Sequence, residues 1–143
     1  MKFRIIALVV IIVACHKDNF QTKPTIEVKS LNTKEVTPGG QLDITLKFTD
    51  KEGDIGDGQL TYIRIRTNNT TIPDPTNNDK ADTVRYTIPT FPDHNKGEIV
   101  VNISYNFMDE DPVKNDTMFF KIAVRDKKNN ISDTISTESV VAK

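Results

Sequence analysis

The chain has 143 residues, 36% apolar and 27% charged, enough for one modest hydrophobic core and too few for two well-filled ones. Nineteen lysines and arginines stand against 20 aspartates and glutamates, so the net charge is -1 and nucleic-acid binding has no electrostatic support. The single cysteine excludes an intrachain disulfide framework.

Lys2 and Arg4 open the chain and lead into a nine-residue apolar run over 5–13, too short to cross a bilayer as a helix. A charged start followed by a short apolar run is the layout of an export signal, and here it stops at Ile12-Val13-Ala14-Cys15. These four residues resemble the lipobox of bacterial lipoproteins, where an aliphatic and a small residue precede the cysteine. The resemblance implies that residues 1–14 are a cleaved signal peptide. It also implies that Cys15 carries a diacylglycerol thioether on its sulfur and an acyl chain such as palmitate on its amine. Several acyl chains give essentially permanent membrane anchoring. Losing Lys2 and Arg4 with the leader leaves 17 basic against 20 acidic residues, a net charge of -3.

Residues 15–24 are polar without apolar periodicity and read as a tether. Lys17-Asp18 resembles the charged export signals of surface lipoproteins in outer-membrane bacteria, and the residue directly after Cys15 is His16 rather than an inner-membrane-retaining aspartate. The expected address is therefore the cell envelope, lipid-anchored to the outer membrane, with the face it occupies left open.

From residue 25 onward short apolar alternations are separated by Asn, Asp, Gly and Pro, as in strands joined by turns. The first strand is read at 25–31, and Pro38-Gly39-Gly40 turns the chain into the second at 41–50. There Leu42, Ile44, Leu46 and Phe48 share one face, and Asp43, Thr45 and Lys47 the other. The third strand is 60–66, with Ile63 and Ile65 expected inward and Arg64 and Arg66 outward. The fourth is 82–88, through Val84, Tyr86 and Ile88. The fifth, 98–107, sets Ile99, Val101, Ile103 and Tyr105 on one face, and the sixth, 117–126, does so with Phe120, Ile122 and Val124. Lys127-Lys128-Asn129-Asn130 then turns into a seventh at 131–141. No segment shows a convincing helical period. The polar connection 68–79 is expected to be a mobile loop.

Seven short strands in about a hundred residues resemble the immunoglobulin-like and fibronectin type III class of β-sandwich, over residues 25–143. The fold class expected is thus all-β, a single seven-stranded immunoglobulin-like sandwich following signal peptide and tether. The tryptophan and paired cysteines of antibody domains are absent, and Met118-Phe119-Phe120 stands where a tyrosine corner would be.

The strongest chemical constellation is Asp50-Lys51-Glu52-Gly53-Asp54-Ile55-Gly56-Asp57-Gly58, directly after the second strand. Oxygen ligands on a loop bent by glycines suit calcium, and repulsion among the carboxylates favours a bound cation. It is not an EF-hand loop, since the glycine spacing is wrong and no glutamate stands at the twelfth position. In an immunoglobulin-like topology the loops after strands two, four and six emerge at one pole. Phe48-Thr49-Asp50 and Val124-Arg125-Asp126 end their strands alike, so Asp50, Glu52, Asp54, Asp57 and Asp126 form the candidate metal set. An ordinary polar turn is the alternative. Asp109, Glu110 and Asp111 fall at the opposite pole and are read as a solvated turn before Pro112.

Other chemistry is thinly represented. His16 lies in the tether and His94 in the Pro92-Asp93-His94-Asn95 turn, neither beside a nucleophile or metal-spaced partner, and no phosphate loop or nucleophile elbow occurs. No catalytic residue is assigned. Tyr62, Tyr86 and Tyr105 read as core or interface residues, and with no tryptophan an aromatic sugar platform is missing. Asp82-Thr83-Val84, Asp116-Thr117-Met118 and Asp133-Thr134-Ile135 resemble a bacterial O-glycosylation motif. The function expected is a non-enzymatic, lipid-anchored envelope module that meets another envelope protein or a surface ligand and is stabilised by calcium. An accessory carbohydrate-binding or hydrolytic lipoprotein is the alternative.

Overall fold

A computed structural model describes residues 22–68, 81–111 and 113–143. Residues 1–14, read above as a signal peptide, Cys15 and residues 69–79 of the polar connection lie outside the described residues. The strands are β1 (Thr25–Leu31), β2 (Glu35–Val36), β3 (Gln41–Thr49), β4 (Gln59–Arg66), β5 (Ala81–Thr87), β6 (Lys96–Ser104), β7 (Asp116–Arg125), β8 (Ile135–Ser136) and β9 (Val140–Ala142). One helical turn, α1 (Tyr105–Met108), follows β6.

Period-two alternation decides which side of each strand is buried. In β3, Leu42, Ile44 and Leu46 are fully buried and Phe48 nearly so. β3 pairs antiparallel with β1 on one side and β6 on the other, giving a three-stranded sheet. The second sheet runs β2-β9-β7-β4-β5, with β8 also on β7. Its inner face supplies Leu60 and Tyr62 from β4 and Met118, Phe120, Ile122 and Val124 from β7. These side chains meet those of β3, together with Val101 and Ile103 of β6, in one core. Tyr62 crosses Phe107 and Phe120 edge to face, each at 5.9 Å between centroids. Burying each such side chain stabilises the fold by about 1.5–3 kcal/mol. The result is an immunoglobulin-like β-sandwich, as the strand pattern implies.

Three details depart from the sequence reading. The β4 face is reversed: Arg64 and Arg66 are 1% and 5% exposed, while Ile63 and Ile65 are half-buried on the outer side. Leu60 and Tyr62 set the inward parity, and the arginines inherit it. The fifth strand ends at Ser104, because the chain turns so that Met108 drops fully into the core. Tyr105 N–H is satisfied by the Gly40 carbonyl at 3.0 Å.

The expected seventh strand is broken into β8 and β9, with a single bridge from Ile131 to Arg125. At both interruptions a buried hydroxyl accepts a β7 backbone N–H: Val124 donates to Ser132 Oγ and Phe120 to Thr137 Oγ1, each at 3.0 Å. A side chain thus takes the place of a ladder carbonyl, and the regular strand cannot continue through it.

The 109–111 segment is the fourth correction. It is not a solvated turn: the side chains of Glu110 and Asp111 are only 9% and 10% exposed. Glu110 and Asp82 hold Arg64, while Asp111 and Asp116 hold Arg66. Asp116, fully buried, also accepts the backbone N–H groups of Glu110 and Asp111 at 2.7 and 2.9 Å. Leu60 and Tyr62 share the parity of Arg64 and Arg66, but the inward arginines are held by acids that only the tertiary fold brings to them.

Candidate metal centre

Asp50 immediately follows β3 and Asp126 immediately follows β7, so each strand delivers an aspartate from a different sheet to the same pole. The acidic loop supplies the third. Ile55 anchors that loop in the core with no exposed surface. Gly53 sits at φ +72, close enough to the His94 backbone that a side chain would meet its nitrogen at 3.3 Å. The loop is strapped to the β5–β6 connection by Asp50 N–H to the Asn95 carbonyl (2.8 Å) and Asp57 N–H to the Ile88 carbonyl (3.1 Å). Lys127 N–H donates to the Asp54 carbonyl at 3.2 Å, which joins the loop to the β7 turn.

Asp50, Asp54 and Asp126 each offer one carboxylate oxygen, and the three oxygens lie within 4.8 Å of one another. Asp50 is 1% exposed, Asp126 2%, and the Asp54 side chain 13%. Asp54 N–H donates to Asp50 Oδ2 at 3.0 Å, and Asn130 donates to both Asp126 oxygens at 2.8 Å. Asp50 Oδ1 and Asp54 Oδ1, by contrast, are buried with no hydrogen-bond partner. Buried carboxylate oxygens left unpaired are costly, and all the side-chain donors are hard oxygens, so the arrangement can hold a metal ion that favours oxygen.

Burial pushes the Asp50 carboxyl above its ordinary 3.8, and the facing Asp54 carboxyl adds to the rise. The sign follows directly. A folded acid with a raised pKa loses stability as pH climbs past its unfolded value, so ionising Asp50 works against the fold, and a bound cation would offset that cost.

The other two candidates point elsewhere. Glu52 takes Lys128 Nζ at 2.7 Å. Asp57, at φ 57, accepts the Thr90 hydroxyl and lies 3.1 Å from Lys127 Nζ; these two partners hold its carboxyl below the ordinary range. The structure therefore brings together Asp50, Asp54 and Asp126 and leaves Glu52 and Asp57 on lysines of the β7 turn.

No protein-family model and no curated protein matches the chain. Among solved structures it is similar to a cohesin module from a Clostridium perfringens family 33 glycoside hydrolase, at 15% identity and TM-score 0.38, over 85% of this chain and 96% of that one. It is also similar to a β-glucosidase from Listeria innocua in complex with glucose, at 10% identity and TM-score 0.38, over 84% of this chain and 16% of that one. Likeness at this level says nothing about activity.

Proposed function

We propose that the protein is a non-enzymatic envelope lipoprotein, an interaction module tethered to the outer membrane through lipid on Cys15, whose membrane-side pole is clamped by calcium. The observation that carries this reading is the buried triad of Asp50, Asp54 and Asp126 with its two unpaired oxygens. Calcium takes oxygen ligands at about 2.3–2.6 Å, so oxygens on opposite sides of it stand about 5 Å apart. The 4.8 Å spread fits within that span.

The tether supports the orientation. Thr22 Oγ1 donates to Asn130 Oδ1 at 3.4 Å and Lys23 pairs with Asp133 at 2.5 Å, so the chain enters the domain beside Asp126. Six residues lie between Cys15 and Thr22, so the seven steps reach at most about 25 Å. An acyl-anchored Cys15 thus holds the aspartate pole towards the bilayer and leaves the opposite pole facing outward for a partner.

Calcium that binds only the folded chain raises stability by RT ln(1 + [L]/Kd), about 2.7 kcal/mol at a hundredfold excess over Kd. For a domain of this size that is about 10 °C in melting temperature. Asp126→Asn is expected to remove most of that shift. Identical melting temperatures in calcium and in chelator for the unmutated chain would end the calcium reading. The anchor has its own test. Mass spectrometry of the membrane-extracted protein is expected to find a lipid-modified N-terminal peptide beginning at Cys15, and an unmodified Cys15 or a different cleavage point would remove it.

A further inference from the structure

We infer that Lys128 is a built-in competitor of the metal ion: a tethered ammonium that steadies the acidic loop when no cation is bound and sets how tightly a divalent cation is held. The inference rests on the calcium reading of the aspartate triad and adds the residue that regulates it.

The turn after β7 determines where Lys128 goes. Asp126 N–H donates to the Asn130 carbonyl at 3.1 Å and Asn129 N–H to the Asp126 carbonyl at 3.2 Å, with Asn129 at φ 69. This closes a tight loop in which Asp126 faces inward to the triad while Lys128 reaches across the mouth of the acidic loop. Its Nζ lies 2.7 Å from Glu52 Oε2 and 3.6 Å from Asp54 Oδ2. Asp54 is therefore placed between the two: its Oδ2 faces the ammonium, its Oδ1 is buried and unpartnered, and its carboxylate belongs to the triad. One carboxylate stands between the lysine and the ion.

Two consequences follow from that placement. Without a divalent ion, Lys128 offsets part of the repulsion among Asp50, Glu52, Asp54 and Asp126. With one, the ammonium repels a double charge across a single carboxylate and draws Asp54 electron density away from it. Lys128 is 60% exposed, so solvent and salt soften both effects without cancelling them. Its stem is flexible enough to swing out when an ion enters. Affinity in the weak range of extracellular calcium modules would then be a designed compromise between a loop that stays folded when empty and one that still loads.

The test is calorimetric titration of the full chain in detergent with calcium chloride, paired with melting in chelator. Lys128→Met keeps the stem and removes the charge. It is expected to bind calcium about tenfold more tightly at low ionic strength while melting at a lower temperature in chelator. Lys128→Arg, which keeps the charge, should behave as the unmutated chain. The opposed directions matter, because a lysine that merely supports the fold would lower the melting temperature without tightening the ion. Calcium binding that is unchanged or weaker in Lys128→Met, with normal binding in the parent, would overturn the role of Lys128 and leave the triad standing. Absence of calcium binding in parent and variant alike would overturn both.

Discussion

Arg64→Met is expected to lower the free energy of unfolding by about 3–5 kcal/mol, the usual cost of removing one partner from a buried ion pair. Arg64 is 1% exposed, and burial lowers its pKa despite the acids around it. Its guanidinium contacts the Phe107 carbonyl and Glu110, lies 2.5 Å from Asp82 Oδ2, and stacks 4.8 Å above the Phe107 ring. Methionine preserves most of the volume but leaves the Glu110 carboxylate, 9% exposed, and the Phe107 carbonyl without a donor. Asp82, at 33%, can turn to water and contributes less. Urea denaturation measures the loss, and the slope should hold constant while the midpoint falls. Where the single variant is too unstable to measure, the pair Arg64→Met with Glu110→Leu decides the matter. Removing both charges should recover most of the stability. A double variant as unstable as the sum of the singles would show that the cost lies in packing rather than in an orphaned charge.

That arginine also shows how far the sequence can be read. Its strand was visible and its facing was not, because Ile63 and Ile65 alternating with Arg64 and Arg66 is also the pattern of an apolar inner face and a charged outer one. What reverses it is non-local: acids at positions 82, 110, 111 and 116, brought together only by the pairing of β4 with β5 and β7. The strands with unambiguous alternation, β3 and β7, were legible in both position and facing, and so was the convergence of Asp50 and Asp126, since both follow directly from strand direction. Which loop carboxylates join them was not legible. Asp54 and Asp57 look equivalent in the sequence, yet Asp57 is turned out at positive φ towards Thr90 and Lys127 while Asp54 is drawn in by its own N–H to Asp50. Likewise Lys127 and Lys128 read only as turn residues until the tight β7 loop places their ammonium groups on the acidic loop. Ser132 and Thr137 interrupt a strand that composition alone would continue, through hydroxyl acceptors whose donors lie on another strand.

Gly58→Ala is the second large effect expected, and it links the fold to the aspartate pole. A methyl at position 58 would lie 2.2 Å from the Arg125 carbonyl oxygen and 2.7 Å from that of Ile55, both backbone atoms that cannot rotate away. Gly58 N–H donates to Ile55 and its carbonyl receives Ile88 N–H, at 3.1 and 2.9 Å, so neither neighbour can yield without breaking a turn or the strap to the β5–β6 connection. The least costly escape is to push the end of β7 outward. That shift moves Arg125, and with it the next residue, Asp126, away from Asp50 and Asp54. The variant is therefore expected to lose about 3 kcal/mol or more of stability and also the calcium-dependent rise in melting temperature. Gly39→Ala provides the comparison, since nothing lies within 4 Å of a methyl there and only its φ of +80 is strained; its cost is about 1 kcal/mol. Melting both variants in calcium and in chelator separates a local backbone penalty from displacement of a ligand. Gly39→Ala should keep the full calcium shift on a slightly lower baseline, whereas Gly58→Ala should show a much lower baseline and no shift. A Gly58→Ala protein that melts low yet responds to calcium like the parent would mean that β7 holds its place and the loop gives way instead, detaching the aspartate pole from the packing at Gly58.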